Sequence, residues 1–526
     1  MNIADILREQ AAMRPDAHAI IDAPHGRDRV TSFAELDRQV AQAAALLWGA
    51  GLRPGDRVLV FQPMSAELYV TLIALFRLGL VAMFVDPSAG MAHVDQCCAL
   101  HPPRAFIGSP KAHLLRLLSP ALRRVPQHFV IGPALPGAVA WSRADTLAPH
   151  EQSHAREPDA PALLTFTSGS TGQPKAALRT HRFLLAQHRA LEQAFPAPAG
   201  AVSLTTLPIF VLADLASGIS SLIAAGDIRH PARVAAAPIL GQIERYRPVR
   251  AGASPAFWER IIDACRQQGQ VLPSDLRTLY AGGAPVFPRL LDDLQGIVSG
   301  ADIVAVYGST EAEPIADLAR SQLLPGDVGA MRAGRGLLAG CPVPDIQLRI
   351  IPDRWGTSLG PYDAATFDAL CLPSDVPGEI IVSGEHVLRG YVDGCGDGET
   401  KVRVGDAVWH RTGDAGYLDG RGRLWLLGRC AARIADVRGT LYPFAVECAV
   451  SFDPRVRRSA VATHAGQRLL AVELAGGASA LTLEEIAGAV AWADLDAVRA
   501  FPHLPVDRRH NAKIDYPALR RLLERA

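Results

Sequence analysis

The chain has 526 residues, 49% of them hydrophobic, enough apolar material for at least one large core and, at this length, for two or more domains. Its 53 basic and 53 acidic residues cancel, so no overall field draws it to nucleic acid or to an anionic membrane. Eight cysteines without a Cys-x-x-Cys pair or a zinc-type spacing read as reduced structural thiols, and the acidic, weakly apolar amino terminus is no secretory signal; both point to the cytoplasm.

Residues 1–10 predict an opening amphipathic helix. Over 33–47 the apolar residues Phe33, Leu36, Val40, Ala43, Ala44 and Leu47 fall on one helical face, which is core packing. Short β-rich runs follow at 57–61, 81–85, 128–131 and 303–307, alternating with helical stretches, as expected of layered α/β architecture with largely parallel sheets. The most membrane-like stretch, 69–85, is interrupted by Arg77 and Gly79, so a buried helix turning into a strand is expected rather than a membrane span. Residues 161–166 read as a buried strand and 181–195 as a helix. Beyond roughly residue 360 the texture shifts to short strands and Gly/Asp turns, as at 378–384 and 419–426, a small β-rich subdomain. A compact segment of mixed α and β signals closes the chain, ending in a helix at 516–525. The reading is a large domain over 1–430, with its β-rich part at about 360–430, and a small mobile α+β domain over 431–526, joined near Cys430-Ala431-Ala432.

Between the strand at 161–166 and the helix at 181–195 lies Thr165-Phe166-Thr167-Ser168-Gly169-Ser170-Thr171-Gly172-Gln173-Pro174-Lys175. Glycines let the backbone approach an anion, amides and hydroxyls donate to its oxygens, and the Lys175 ammonium offsets its charge. The spacing Gly-x4-Gly-Lys-Ser/Thr is absent, so this is a phosphate cradle of another kind. Four further segments stand out: Tyr280-Ala281-Gly282-Gly283-Ala284-Pro285, Val306-Tyr307-Gly308-Ser309-Thr310-Glu311, Thr412-Gly413-Asp414 with Gly428-Arg429, and the basic Arg508-Arg509-His510-Asn511-Ala512-Lys513 near the end.

Together, in this order, the five segments resemble the adenylate-forming superfamily of acyl-CoA synthetases, firefly luciferases and peptide-synthetase adenylation domains. The resemblance implies ATP and Mg²⁺ as cofactors and an acyl-adenylate formed with release of pyrophosphate. It places Thr167, Ser168, Gly169, Ser170, Thr171, Gly172 and Lys175 on phosphate, and Gly283, Ala284 and Pro285 against adenine. Tyr307, Gly308, Ser309 and Thr310 would line the nucleotide, with Tyr307 stacking and Thr310 on phosphate. Glu311 would hold Mg²⁺, suiting a hard cation that takes one or two protein carboxylates and keeps its phosphates and waters. Asp414 would accept from the ribose hydroxyls, Arg429 would add a donor, and Lys513 would swing in to neutralise spreading charge. Lys513, Glu311, Thr310 and Lys175 are thus the expected catalytic set.

Phe210, Val211, Leu212, Ala253, Ser254 and Pro255, mostly apolar and small, are expected to form the acid pocket and favour an apolar or β-hydroxy acid. Many acyl-CoA synthetases carry His after Pro-x-Phe, whereas Pro208-Ile209-Phe210 is followed by Val211. Amino-acid-activating domains place an Asp near that point, but Asp214 comes three positions late. Many also carry Asp or Lys two residues after Gly-Arg as a hinge, and here Ala431 stands there. Residues 307–314, 335–342, 408–429 and 505–514 look like the β-lactone synthetases of long-chain olefin biosynthesis. That branch implies an internal acceptor, the substrate's own β-hydroxyl. Ligation to CoA or to a carrier-protein thiol, with carrier or pathway enzymes as partners, stays open beside it, as does a non-catalytic nucleotide-binding module.

Overall fold

The computed structural model describes residues 2–168, 174–475, 479–506 and 514–525. The chain forms two compact units, one of Met1–Gly226, Gly241–Ala251 and Gly390–Asp397, the other of Asp227–Leu240, Gly252–Arg389 and Gly398–Ala526.

A seven-stranded sheet organises the first unit, in spatial order Val139–Ala140, Gln127–Val130, Ala105–Gly108, Arg57–Phe61, Val81–Phe84, Pro161–Ser168 and Pro174–Thr180. Every neighbouring pair is parallel except the last. Parallel strands covered on both faces need unbroken apolar runs, and Val58, Leu59, Val60, Phe106 and Ile107 are all buried. Helix Phe33–Gly49 begins where the Ser32 hydroxyl accepts from the Glu35 amide at 3.2 Å, an N-cap that satisfies one orphan donor of the first turn. All six residues of the expected stripe on that helix are buried. The stretch 69–85 is divided between helix Ala66–Arg77 and strand Val81–Phe84, and Arg77, buried at the helix end, is paired with Asp37. Among the described residues no helix is long and apolar enough to cross a membrane.

In the second unit, strand Thr278–Ala281 runs parallel to Asp302–Ser309. From there the pairing turns antiparallel, through Ala312–Ala319, Leu337–Pro342, Leu424–Arg429, Ala407–Leu418, Gly378–Ser383 and Gln347–Ile351. Antiparallel structure therefore starts upstream of the Gly/Asp-rich texture near residue 360. Residues 434–523 carry a three-stranded sheet, Val456–His464, Gln467–Leu474 and Ala497–Ala500, with helices Pro443–Val450, Ala480–Ala489 and Tyr516–Leu523. The strand period of two sorts its residues between two cores. Val461, Leu470 and Val472 pack with Val446, Val450 and Ile486, while Ala460, Ala462, Leu469 and Ala471 pack with Phe501, Leu504, Leu519 and Leu523.

Candidate functional site

The Ser/Thr/Gly segment is flanked by two paired strands. Strands Pro161–Ser168 and Pro174–Thr180 pair antiparallel with Thr167 opposite Lys175 and Ser168 opposite Pro174, so a strand intervenes between the loop and helix His181–Ala194. Gly169, Ser170, Thr171 and Gly172 lie outside the described residues, as does Lys513. Lys175 is buried, its ammonium 6.0 Å from the centre of the Tyr391 ring. Gly396 also lies against it, since a Cβ there would stand 2.7 Å from Lys175 Nζ. The segment 390–397 thus packs on Lys175 from more than 200 residues downstream in sequence, a role for Tyr391 and Gly396 that no local pattern announces.

In the second unit the expected nucleotide residues gather at strand ends. The Gly282 amide donates to Ala253 O at 3.2 Å, and a Cβ on Gly282 would stand 3.2 Å from Val306 O. Hence residues 253, 282 and 306 are neighbours, with Ser254, Gly283 and Tyr307 next in chain. Gly283 has φ of 80°, where a side chain is strained, and with Ala284 and Pro285 it forms a turn open to solvent. Crevices at the carboxyl ends of parallel strands are where α/β sheets bind ligands. Thr310 and Glu311 are the two residues between Ser309 and Ala312, which pair across a tight antiparallel turn; Glu311 therefore sits on a hairpin tip and not at a helix start. Its carbonyl accepts from the Leu388 amide at 2.7 Å. The hydroxyls of Ser254 and Ser309 are buried and unpartnered among the described residues.

Asp414, Arg429 and Tyr307 meet although 107 residues separate the first from the last. Strand register sets Asp414 opposite Arg429, whose Nε lies 3.2 Å from Asp414 Oδ1. The Tyr307 hydroxyl donates to Asp414 Oδ2 at 2.7 Å. Burial and the Asp414 charge hold the Tyr307 phenol well above its ordinary range, so it stays a neutral donor, and the same carboxylate raises Arg429. Each Asp414 oxygen keeps a second lone pair for further donors. Three residues earlier in the same strand, Arg411 makes a fully buried bidentate pair with Glu379, Nε to Oε1 at 2.8 Å and Nη2 to Oε2 at 2.7 Å, which braces the strand that carries Asp414.

The expected acid pocket is less uniform. Helix Pro208–Ala216 turns successive residues by about 100°, so Phe210, Val211 and Leu212 cannot share one direction. Phe210 packs on Phe195 with ring centres 5.1 Å apart and Val211 is fully buried. Leu212 faces elsewhere, into a small apolar pocket with Ile209, Ala213 and Ala216 beside Leu7 and Phe76. On this helix its direction differs from that of Phe210. Asp214 is sealed. It pairs with Arg250, accepts from the Ser221 hydroxyl at 3.0 Å, and is pushed up to about 6 by burial despite the guanidinium. Ala253, Ser254 and Pro255 are buried at the start of helix Pro255–Gln268.

At the expected junction, Cys430–Ala432 is a single turn with Ala431 exposed. Asp353 Oδ2 receives Arg433 Nη1 at 2.5 Å and the Tyr442 hydroxyl at 3.1 Å, a contact across the junction that sequence reading missed. Among the described residues no group of three or more His, Cys, Asp or Glu side chains could hold a metal ion.

A family model described as AMP-binding enzyme matches residues 7–392. An olefin beta-lactone synthetase of Xanthomonas campestris pv. campestris is 33% identical, the match covering 98% of this chain and 96% of that protein. An indoleacetate–CoA ligase of Aromatoleum aromaticum is 28% identical over 89% of this chain and 86% of its own. Among solved structures, the amide bond synthetase McbA of Marinactinospora thermotolerans superposes with a TM-score of 0.79 at 22% identity, covering 99% of each chain, which is a likeness of fold.

Proposed function

Because this chain belongs to the AMP-binding enzyme family, we propose that it activates a β-hydroxy carboxylic acid with ATP and closes the product to a β-lactone. In the first step a carboxylate oxygen attacks the α-phosphorus and the bond to pyrophosphate breaks. In the second, the substrate's β-hydroxyl oxygen attacks the acyl carbon, the bond to AMP breaks, and the hydroxyl proton passes to solvent. Attack within one molecule carries a large effective-molarity advantage, so no thiol need enter. The observation that carries the reading is the 33% identity to an olefin beta-lactone synthetase over nearly the whole of both chains.

In this reading Asp414 takes the ribose hydroxyls on its free lone pairs while Tyr307 and Arg429 hold it oriented. Adenine lies on the Gly283-Ala284-Pro285 turn, against Tyr307. Lys175 and the loop before it bind phosphate, with Gly308, Ser309 and Thr310 lining the nucleotide. Glu311, a carboxylate on a half-buried tip, would suit Mg²⁺, a hard cation that takes one or two protein carboxylates; bound there, the ion would offset triphosphate charge. Lys513 supplies charge at the moment of transfer, carried by the small domain 431–526. Such catalysis is positioning and electrostatics, which needs no protein nucleophile.

The relative that ligates indoleacetate to CoA favours a second reading, transfer to CoA or a carrier thiol. One fold hosts lactone, thioester and amide formation, so fold does not choose the acceptor. The test supplies ATP and a β-hydroxy acid with and without CoA. AMP and lactone without thiol are expected; strict dependence on thiol would transfer the case to the ligase reading.

A further inference from the structure

The balanced charge of the whole chain hides a local excess. Between Asp95 and Asp145 no acidic residue occurs, while Lys111, Arg116, Arg123 and Arg124 fall within 14 positions. None of the four forms an ion pair among the described residues. Amid them, Leu114, Leu117 and Leu118 are 59%, 72% and 68% exposed.

These leucines are surplus to the core beneath them. Ala112, Leu122 and Val125 are buried in it and Leu115 packs against it, which anchors the segment. Residues Leu114–Leu117 form a 3₁₀ turn following helix Pro110–His113, and in that geometry side chains three apart eclipse, so Leu114 and Leu117 stand in one column. Arg123 Nη1 donates to Leu117 O at 3.0 Å and to Arg116 O at 3.3 Å, which holds a guanidinium at the border of the leucines. Single exposed leucines need no explanation, but a cluster of them bordered by unpaired cations marks a docking surface.

We propose that this face docks on the surface of an anionic lipid bilayer, the leucines entering the headgroup boundary and the cations meeting lipid phosphates. The charge complementarity selects that occupant. The carboxylate that meets the segment, Asp95, is engaged by the Ser119 hydroxyl and the Ala121 amide, and an apolar insert bordered by an excess of Lys and Arg is the composition that binds anionic interfaces, where apolar burial and basic attraction add.

Flotation of the full-length protein with vesicles tests it. Binding to phosphatidylcholine–phosphatidylglycerol vesicles is expected, with little to phosphatidylcholine alone, and it should weaken as salt is raised. Lys111→Glu with Arg124→Glu should weaken it by roughly twentyfold or more, and Leu117→Ser with Leu118→Ser should reduce it to background. Both variants should keep acid-dependent ATP–pyrophosphate exchange, which shows them folded. Equal binding to the two vesicle types, or variants that bind like the parent, would overturn the proposal. So would a dimer made monomeric by the leucine changes with vesicles unbound, which would give the face to a second copy.

Discussion

Two aspartate–arginine pairs illustrate how the same chemistry is put to different uses. Asp214 and Arg250 have side chains 0% and 7% exposed, closed in by Ser203, Ser221 and the Phe195 carbonyl. Asp414 and Arg429 are 17% and 55% exposed, with a tyrosine donor fixed on the carboxylate and lone pairs left over. The first has its hydrogen bonds completed by protein. The second is held in place yet open, the condition a ligand-binding carboxylate must meet. An aspartate near a substrate-pocket motif is therefore not enough to mark a substrate ligand.

The largest expected effect breaks the sealed pair. Asp214→Ala leaves a buried guanidinium without its counter-charge and should cost about 3–5 kcal/mol in urea unfolding, with no new preference for or against amino acids as substrates; a loss under about 1 kcal/mol would mean that water reaches the pair. Next comes the open pair. Asp414→Ala should weaken ATP binding by calorimetry roughly tenfold to a hundredfold, the value of one or two hydrogen bonds to a charged group, while moving stability far less than Asp214→Ala. Unchanged affinity would remove Asp414 from the ribose position.

A third buried carboxylate sharpens the contrast because no arginine among the described residues forms an ion pair with it. Glu447 Oε1 accepts from the Tyr516 hydroxyl at 2.7 Å and the Val461 amide at 3.3 Å, and burial pushes it up to about 7 from 4.5. With the folded value raised, its contribution is fully present below about pH 4.5 and is lost as pH rises through about 7. Glu447→Gln keeps an oxygen for both donors, so it should match the parent near pH 4.5 and exceed it by on the order of 2 kcal/mol at pH 8. Denaturation at the two pH values checks this, and a gain confined to acid would contradict the sign. The smallest effect tests helical direction. Leu212→Ala should cost about 1 kcal/mol or less and leave chain-length preference among acids untouched, because its side chain lies with Ile209 and Ala216; a shifted preference would return it to the acid pocket.

Much of this architecture was legible in the sequence. Where a period of 3.6 or an apolar run met a clear boundary, as in Phe33–Gly49, Arg57–Phe61 and Gly378–Ser383, element and extent agree closely with expectation. Residues 283, 307 and 414, expected at the nucleotide, stood out because each ends or interrupts a strand within a compact motif. Strand Pro174–Thr180 was not, since its Pro and Lys read as loop and its pairing depends on a hairpin. Phe210, Val211 and Leu212 were grouped because they are adjacent, whereas a helix separates adjacent residues by direction. Arg250, Gly396 and the Asp353–Arg433–Tyr442 contact were invisible for another reason: their partners lie 36 to 221 residues away in sequence, and no local pattern encodes a contact of that range.

The most direct measurement of the central claim is ATP–pyrophosphate exchange across a panel of carboxylic acids, β-hydroxy acids included, without any thiol. Exchange that depends on an acid, is strongest with β-hydroxy acids and falls in Asp414→Ala is the expected result. Exchange absent with every acid, while ATP still binds, would contradict an acyl-adenylate and leave a nucleotide-binding protein without this chemistry.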